Sequence, residues 1–159
     1  MQNTRNKKSQ LRELHRAMLD IAAFLNRPQR DAILIAEAGV SLDRALFPLL
    51  SGIERFGPIG VVDLADRAGR DHTTVSRQIA RLAELGLIAR RPGAADRRIH
   101  ECVITPKGRV LTDALDAARR RLAMPILARW SEKDFADLVR LMGRLAGELT
   151  ALPDAGDTE

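Results

Sequence analysis

Thr73, Thr74, Ser76, Arg77 and Arg81 lie in one short stretch, and Arg90, Arg91, Asp96, Arg97 and Arg98 follow in the next. Hydroxyls and guanidinium groups spaced in this way do no covalent chemistry, because no nucleophile stands with a plausible base. What they do together is hold anions. The guanidinium is a planar fork matched to phosphate and to guanine, and a short hydroxyl bonds a base edge or a phosphate oxygen. Between Arg67 and Arg98 there are eight arginines against three acids, a local +5 equal to the formal net charge of the whole chain. Placement is therefore the signal, more than total basicity. A charge run is usually a solvated face, but that reading predicts acids interleaved with the arginines for pairing one turn apart. Only Glu84, near the far end, fits it.

The elements that must position these side chains follow from periodicity. After Asp71, an N-cap residue, Val75, Ile79 and Leu82 share one helix face at roughly 100° per residue. Thr73, Arg77 and Arg81 fall opposite, with Thr74 beside them, the small Ala80 between, and His72 in the first turn within reach of a phosphate. Gly86 ends the helix. Before it, Val61, Val62, Leu64, Ala65 and Ala68 make a short helix ended by Gly69, so the pair reads as a helix-turn-helix. After it, Leu87 to Arg91 reads as a strand, 92–96 as a turn and Ile99 to Ile104 as a returning strand. That is a hairpin with a basic tip, the wing of a winged helix.

The flanks are helical. Residues 1–8 read as a flexible basic arm. From Ser9, Leu11, Leu14, Met18, Ile21 and Leu25 recur at helical spacing as far as Asn26, and Pro28 breaks the pattern. Gln29 to Ala38 is a second helical piece stopped by Gly39. Ser41 caps an expected helix through Leu42, Leu46, Leu49, Leu50 and Ile53, closed by Gly57-Pro58. Thr105-Pro106 is an N-cap followed by Pro at N1. It opens a helix carrying Val110, Leu111, Ala114, Leu115, Ala118 and Leu122 up to Pro125. Ser131 with Asp134 resembles a capping box for a last helix through Phe135, Leu138, Val139, Met142, Leu145 and Leu149. The expected fold is mainly α: one domain over 9–152, with a winged helix-turn-helix lobe at 41–105 and a two-stranded β wing. Helices at 9–40 and 106–152 flank the lobe, and 153–159 is an acidic tail. The flanking apolar stripes are too long for the lobe to cover, so a homodimer is expected, with the flanking segments as dimerisation helices.

Composition excludes several other readings. The single Cys102 permits neither an internal disulfide nor a Cys-rich zinc site. It sits in the second wing strand and reads as a small strand residue ahead of a redox sensor. His15, His72 and His100 are scattered, with no ligand at metal spacing, so no metal and no cofactor is expected. Trp130 reads as dimer packing. No apolar run approaches the ~18 residues of a membrane span, and the first residues lack the apolar core of a signal peptide. The expected compartment is the cytoplasm. An enzyme fails on inventory, with no Gly-rich phosphate loop and no motif-placed carboxylate pair. A helical dimerisation module without DNA binding explains the ends of the chain but not the arginine-rich hairpin.

From Val61 to Leu111 the sequence resembles the multiple antibiotic resistance regulator (MarR) family of winged-helix transcription factors. The family's recognition-helix pattern stands here as Asp71, Thr73, Thr74, Val75, Ser76 and Arg77. Its approach to the wing is matched by Leu82, Gly86, Leu87, Ile88 and Arg90. Its wing tip is matched by Asp96 and Arg98, and its close by Ile104, Thr105 and Gly108. The flanking helices extend the likeness to roughly Ser9 to Leu149. The resemblance implies six helices with a two-stranded wing, working as a homodimer on a palindromic double-stranded operator. Each protomer would place its recognition helix in the major groove and its wing in the minor groove, with Arg98 as the minor-groove side chain and Asp96 aiming it. It also implies a repressor released by a small effector such as an aromatic acid or phenolic; a regulator without ligand response is the alternative. One departure is local: Gln29 to Gly39 is apolar where many relatives have a plainer linker.

Overall fold

The computed structural model describes residues 2–151, with side chains from residue 6 onward. In order the elements are α1 (Gln2–Leu25), α2 (Pro28–Ala38), α3 (Phe47–Phe56), β1 (Ile59–Gly60), α4 (Val61–Ala68), α5 (His72–Glu84), β2 (Ile88–Pro92), β3 (His100–Ile104), α6 (Pro106–Leu127) and α7 (Glu132–Thr150). The chain divides into two compact units, residues 1–118 and 119–159. The acidic tail expected at 153–159 and the first residue of the expected arm lie outside the described residues.

One apolar cluster positions the helix-turn-helix. Leu49, Leu50 and Ile53 of α3, Leu64 and Ala65 of α4, Val75, Ile79 and Leu82 of α5, and Cys102 of β3 are essentially closed to solvent and pack together. Burying one such Leu or Ile side chain stabilises the fold by roughly 1.5–3 kcal/mol. The expected inward face of α5 is therefore the observed one. The turn between α4 and α5 also forms as expected, with Gly69 left-handed at φ +60° and Asp71 capping the next helix. Gly86 leaves α5 at φ +72°. The backbone bonds Gly86 N to Ala83 O and Leu87 N to Leu82 O give α5 a Schellman-type end.

Three helix boundaries differ from expectation, and the sheet gains a strand. α1 starts at Gln2 instead of Ser9, so residues read as a flexible arm are helical; Gln, Arg and Lys are good helix formers and no Gly or Pro precedes Pro28. Ser9 donates to Glu13 one turn on and caps nothing. α3 starts at Phe47 instead of after Ser41. Pro48 lacks the amide that a helix begun at Leu42 would require, and it is tolerated only in a first turn. Asp43 instead makes a turn, its carboxylate accepting from Ala45 N at 2.8 Å. The wing hairpin gains a third strand: β1 pairs antiparallel with β3, Ile59 opposite Cys102 and Gly60 opposite Glu101, in the order β1-β3-β2. A two-residue strand is too short to leave an alternation in sequence. Finally, α6 continues past Pro125 to Leu127, although that proline has no amide to give the preceding turn.

The remaining caps agree with the sequence. Thr105 Oγ1 accepts from Gly108 N at 3.0 Å at the start of α6. Ser131 Oγ accepts from Asp134 N at 3.1 Å at the start of α7. Gln29 to Gly39, expected as a helical piece, is α2, and Gly39 ends it at φ +64°.

Candidate nucleic-acid interface

α5 presents its polar face to solvent because its apolar face is fully used by the core. Thr73, Ser76, Arg77, Ala80 and Arg81 are exposed, and Thr74 is half-buried. Asp71 Oδ1 accepts from Thr74 N at 2.8 Å, so one of the free amides at the helix start already has a carboxylate on it. The Thr74 side chain and amide hold the Asp71 carboxyl below its ordinary range. His72, expected near phosphate, places Nε2 at 3.3 Å from Asp66 Oδ1 and is thereby tied to α4. Among the described residues Arg77 makes no hydrogen bond or ion pair, and it stands ready for an outside acceptor. Arg81 is less available, since its Nη1 lies 3.0 Å from Glu84 Oε2. The solvated-helix reading thus describes Arg81 but not Arg77.

The wing carries the second group. Antiparallel register sets Arg90 opposite Cys102 and Arg91 opposite Glu101. Arg91 Nε is 3.9 Å from Glu101 Oε2, whereas Arg90 and Arg97 are exposed without ion pairs among the described residues. At the tip the turn closes on Gly93, whose amide donates to Ile99 O at 2.7 Å. A Cβ on Gly93 would meet Asp96 O at 2.8 Å, so a side chain has no room there. Asp96 then grips Arg98 through both carboxylate oxygens, with Nε to Oδ1 at 3.1 Å and Nη2 to Oδ2 at 3.0 Å. The Arg98 amide also donates to Oδ1 at 2.9 Å. The Arg98 side chain nevertheless remains 91% exposed. Its guanidinium beside Asp96 holds that carboxyl below the usual range. A long flexible cation is thus held in one direction while open to a ligand, which lowers the ordering cost of binding.

The eight arginines therefore divide by task. Arg67 stacks over the Phe56 ring at 4.5 Å. Arg70 bridges Ala45 O at 3.1 Å and Gln78 Oε1 at 3.3 Å, bracing α5 from behind. Arg81, Arg91 and Arg98 have a carboxylate within ion-pair distance; among the described residues Arg77, Arg90 and Arg97 have none so close, and Arg77 acts on the Asp71 carboxyl only at longer range. Asp66, Gln78 and Glu101 are the side chains that sequence reasoning missed. Glu101 alone had a signal, since a hairpin pairing places it across from Arg91 once the turn length is known. Cys102 is fully buried between Arg90 and Ile59 in the sheet, and burial pushes its thiol up. That is the setting of an inert small residue.

No helix among the described residues is long and apolar enough to cross a membrane. The sequence profile of the MarR family matches residues 42–100, which include all eight of these arginines. The chain is 32% identical over 107 residues to the HTH-type transcriptional regulator YxaD of Bacillus subtilis (strain 168), covering 65% of this chain and 75% of that one. Among solved structures it resembles a MarR family protein from Bacillus stearothermophilus, with a TM-score of 0.66 at 22% identity, over 90% of this chain and 97% of that one. It also resembles the transcriptional regulator BldR from Sulfolobus solfataricus, with a TM-score of 0.59 at 26% identity, over 89% and 98% of the two chains.

Proposed function

Since the chain belongs to the MarR family of transcriptional regulators, we propose that it is a homodimeric repressor that reads a palindromic operator and leaves it when a small effector binds. The observation that carries this reading is one lobe bearing two differently prepared cations. Arg77 is unpaired among the described residues on the exposed face of α5, and Arg98 is aimed by Asp96 at the wing tip. In the proposed complex α5 enters the major groove, with Thr73, Thr74 and Ser76 near base edges and Arg77 on a guanine edge. Arg81 and His72 exchange Glu84 and Asp66 for the DNA backbone. The wing lies along the minor groove, where Arg98 meets the negative potential of a narrow A·T stretch and Arg90, Arg91 and Arg97 meet phosphates.

A two-fold dimer places its two recognition helices symmetrically, so the half-sites stand about one helical turn apart. α1, the end of α6, and α7 supply the dimer surface. The effector is a small aromatic acid or phenolic, which acts by favouring a lobe spacing that misses successive grooves. The protein works in the cytoplasm on chromosomal DNA. Footprinting on the DNA upstream of its own gene tests this. Symmetric protection of an inverted repeat, relieved by one member of an aromatic-acid panel, is the expected result. A single asymmetric half-site contradicts the dimeric reading, and protection that no ligand relieves contradicts the effector.

A further inference from the structure

The end of α5 and the start of α6 meet back to back. The Schellman-type turn leaves three successive carbonyls, those of Leu85, Gly86 and Leu87, without helical partners. Each is taken by a donor from the first residues around α6. Lys107 Nζ donates to Leu85 O at 2.8 Å, Thr105 Oγ1 to Gly86 O at 2.7 Å, and Thr105 N to Leu87 O at 3.1 Å. The Thr105 hydroxyl is used twice, because it also accepts from Gly108 N at 3.0 Å. One oxygen therefore ends the recognition helix and begins the next. Gly108 is buried, and a Cβ there would collide with the Leu87 carbonyl oxygen, so the two backbones approach as closely as they can.

We propose that Thr105, with Lys107 as a second tie, is a positioning residue for sequence reading: it fixes the pitch of α5 against α6, so that Thr73 and Arg77 meet base edges. The proposal rests on the DNA-reading function above. It assigns Lys107, an exposed cation in a basic protein, to the protein's own backbone instead of to a phosphate. A base-edge contact needs the helix placed to within a fraction of an ångström, whereas a phosphate contact through a long side chain tolerates a tilt. Loosening the tie therefore lowers preference for the operator and leaves grip on arbitrary DNA.

The test compares full-length Thr105→Val, Thr105→Ser and Lys107→Met with the wild type. The probes are a duplex that the wild type enriches from a randomised pool and a scrambled duplex of the same length, titrated across salt. Thr105→Val removes both hydrogen bonds of the hydroxyl and keeps the branched shape. Its operator-over-scrambled ratio is expected to fall about tenfold, the scale of one or two hydrogen bonds. Scrambled-DNA affinity and salt slope stay as in the wild type. Thr105→Ser keeps the hydroxyl and returns the ratio to within about twofold of the wild type, a scale well below one hydrogen bond. Lys107→Met lowers the ratio less, with the slope unchanged; a phosphate-contacting lysine would instead shrink the slope by about one unit.

A purely structural role scales binding to both duplexes equally through the folded fraction, so equal losses for Thr105→Val overturn the proposal, as does failure of Thr105→Ser to restore the ratio. Should Thr105→Val not fold, Lys107→Met decides, and an unchanged ratio or a reduced slope overturns the assignment. A wild type that enriches no sequence overturns the parent reading, and this proposal with it.

Discussion

The lobe and the terminal helices use their apolar residues in opposite ways. Among the described residues, every buried apolar side chain lies between Leu46 and Ala118, and α1, α2 and α7 contribute none. α1 instead exposes Leu11, Leu14, Met18, Ile21 and Leu25 at helical spacing, and α7 exposes Phe135, Leu138, Val139 and Met142. The lobe closes its core with α3, α4, α5 and the sheet, and Leu111 of α6 packs against it. The terminal helices carry clear amphipathic patterns too, but among the described residues these side chains stay exposed. A helix stripe of this length is rarely left in water, and a second copy of the chain is the covering surface proposed above. The difference teaches that amphipathicity fixes which face is apolar, and says nothing of whose side chains meet it.

That contrast breaks most visibly at α7. The double substitution Leu138→Glu and Met142→Glu places charges where the second copy is proposed to pack. It should convert a dimer into monomer or aggregate, a rise of more than about a hundredfold in dimer dissociation constant when two central apolar side chains become charged. Sedimentation velocity across concentration reads it; an unshifted species contradicts the dimer surface. The counterpart in the lobe is Ile79→Ala, which should cost about 2–5 kcal/mol through transfer and cavity terms. Its melting temperature should fall without added dependence on protein concentration, unlike a loss at the dimer surface. Equal concentration dependence for the two variants would erase the distinction between the regions.

A smaller effect lies at the α5 cap. Thr74 holds the Asp71 carboxyl below its ordinary range, so the folded protein favours the carboxylate. The capping contribution is therefore complete above the ordinary aspartate range and is lost as pH falls through the lowered folded value. Asp71→Ala should melt below the wild type at neutral pH, by less than Ile79→Ala, and the gap should close at acid pH. A gap that stays constant with pH means the carboxylate is not the cap.

These particulars also mark how much was legible. α4 and α5 could be placed from sequence because their signals are local: Gly69 and Gly86 demand left-handed turns, and Asp71 caps the residues that follow it. The start of α3 was misplaced because Pro48 overrides the capping signal at Ser41. β1 was invisible because its pairing with Glu101 and Cys102 is a long-range contact carried by two residues. In the candidate interface the exposed face of α5 was legible from periodicity, and the Asp96–Arg98 pair from the resemblance to the MarR family. Which arginines have partners was not. Arg70 reaches Ala45 and Gln78, and Arg67 reaches Phe56, only after the chain has folded.

Arg77 and Arg98 differ as the helix and the wing differ, and that difference is the centre of the account. The direct measurement is a salt titration of Arg77→Ala and Arg98→Ala on operator and scrambled duplexes. Arg77→Ala should cost about 1–3 kcal/mol on the operator and much less on scrambled DNA, as loss of a base-edge contact does. Arg98→Ala should weaken both, with the salt slope smaller by about one unit. Equal losses for the two variants on scrambled DNA, with operator preference intact in each, would contradict sequence reading by α5.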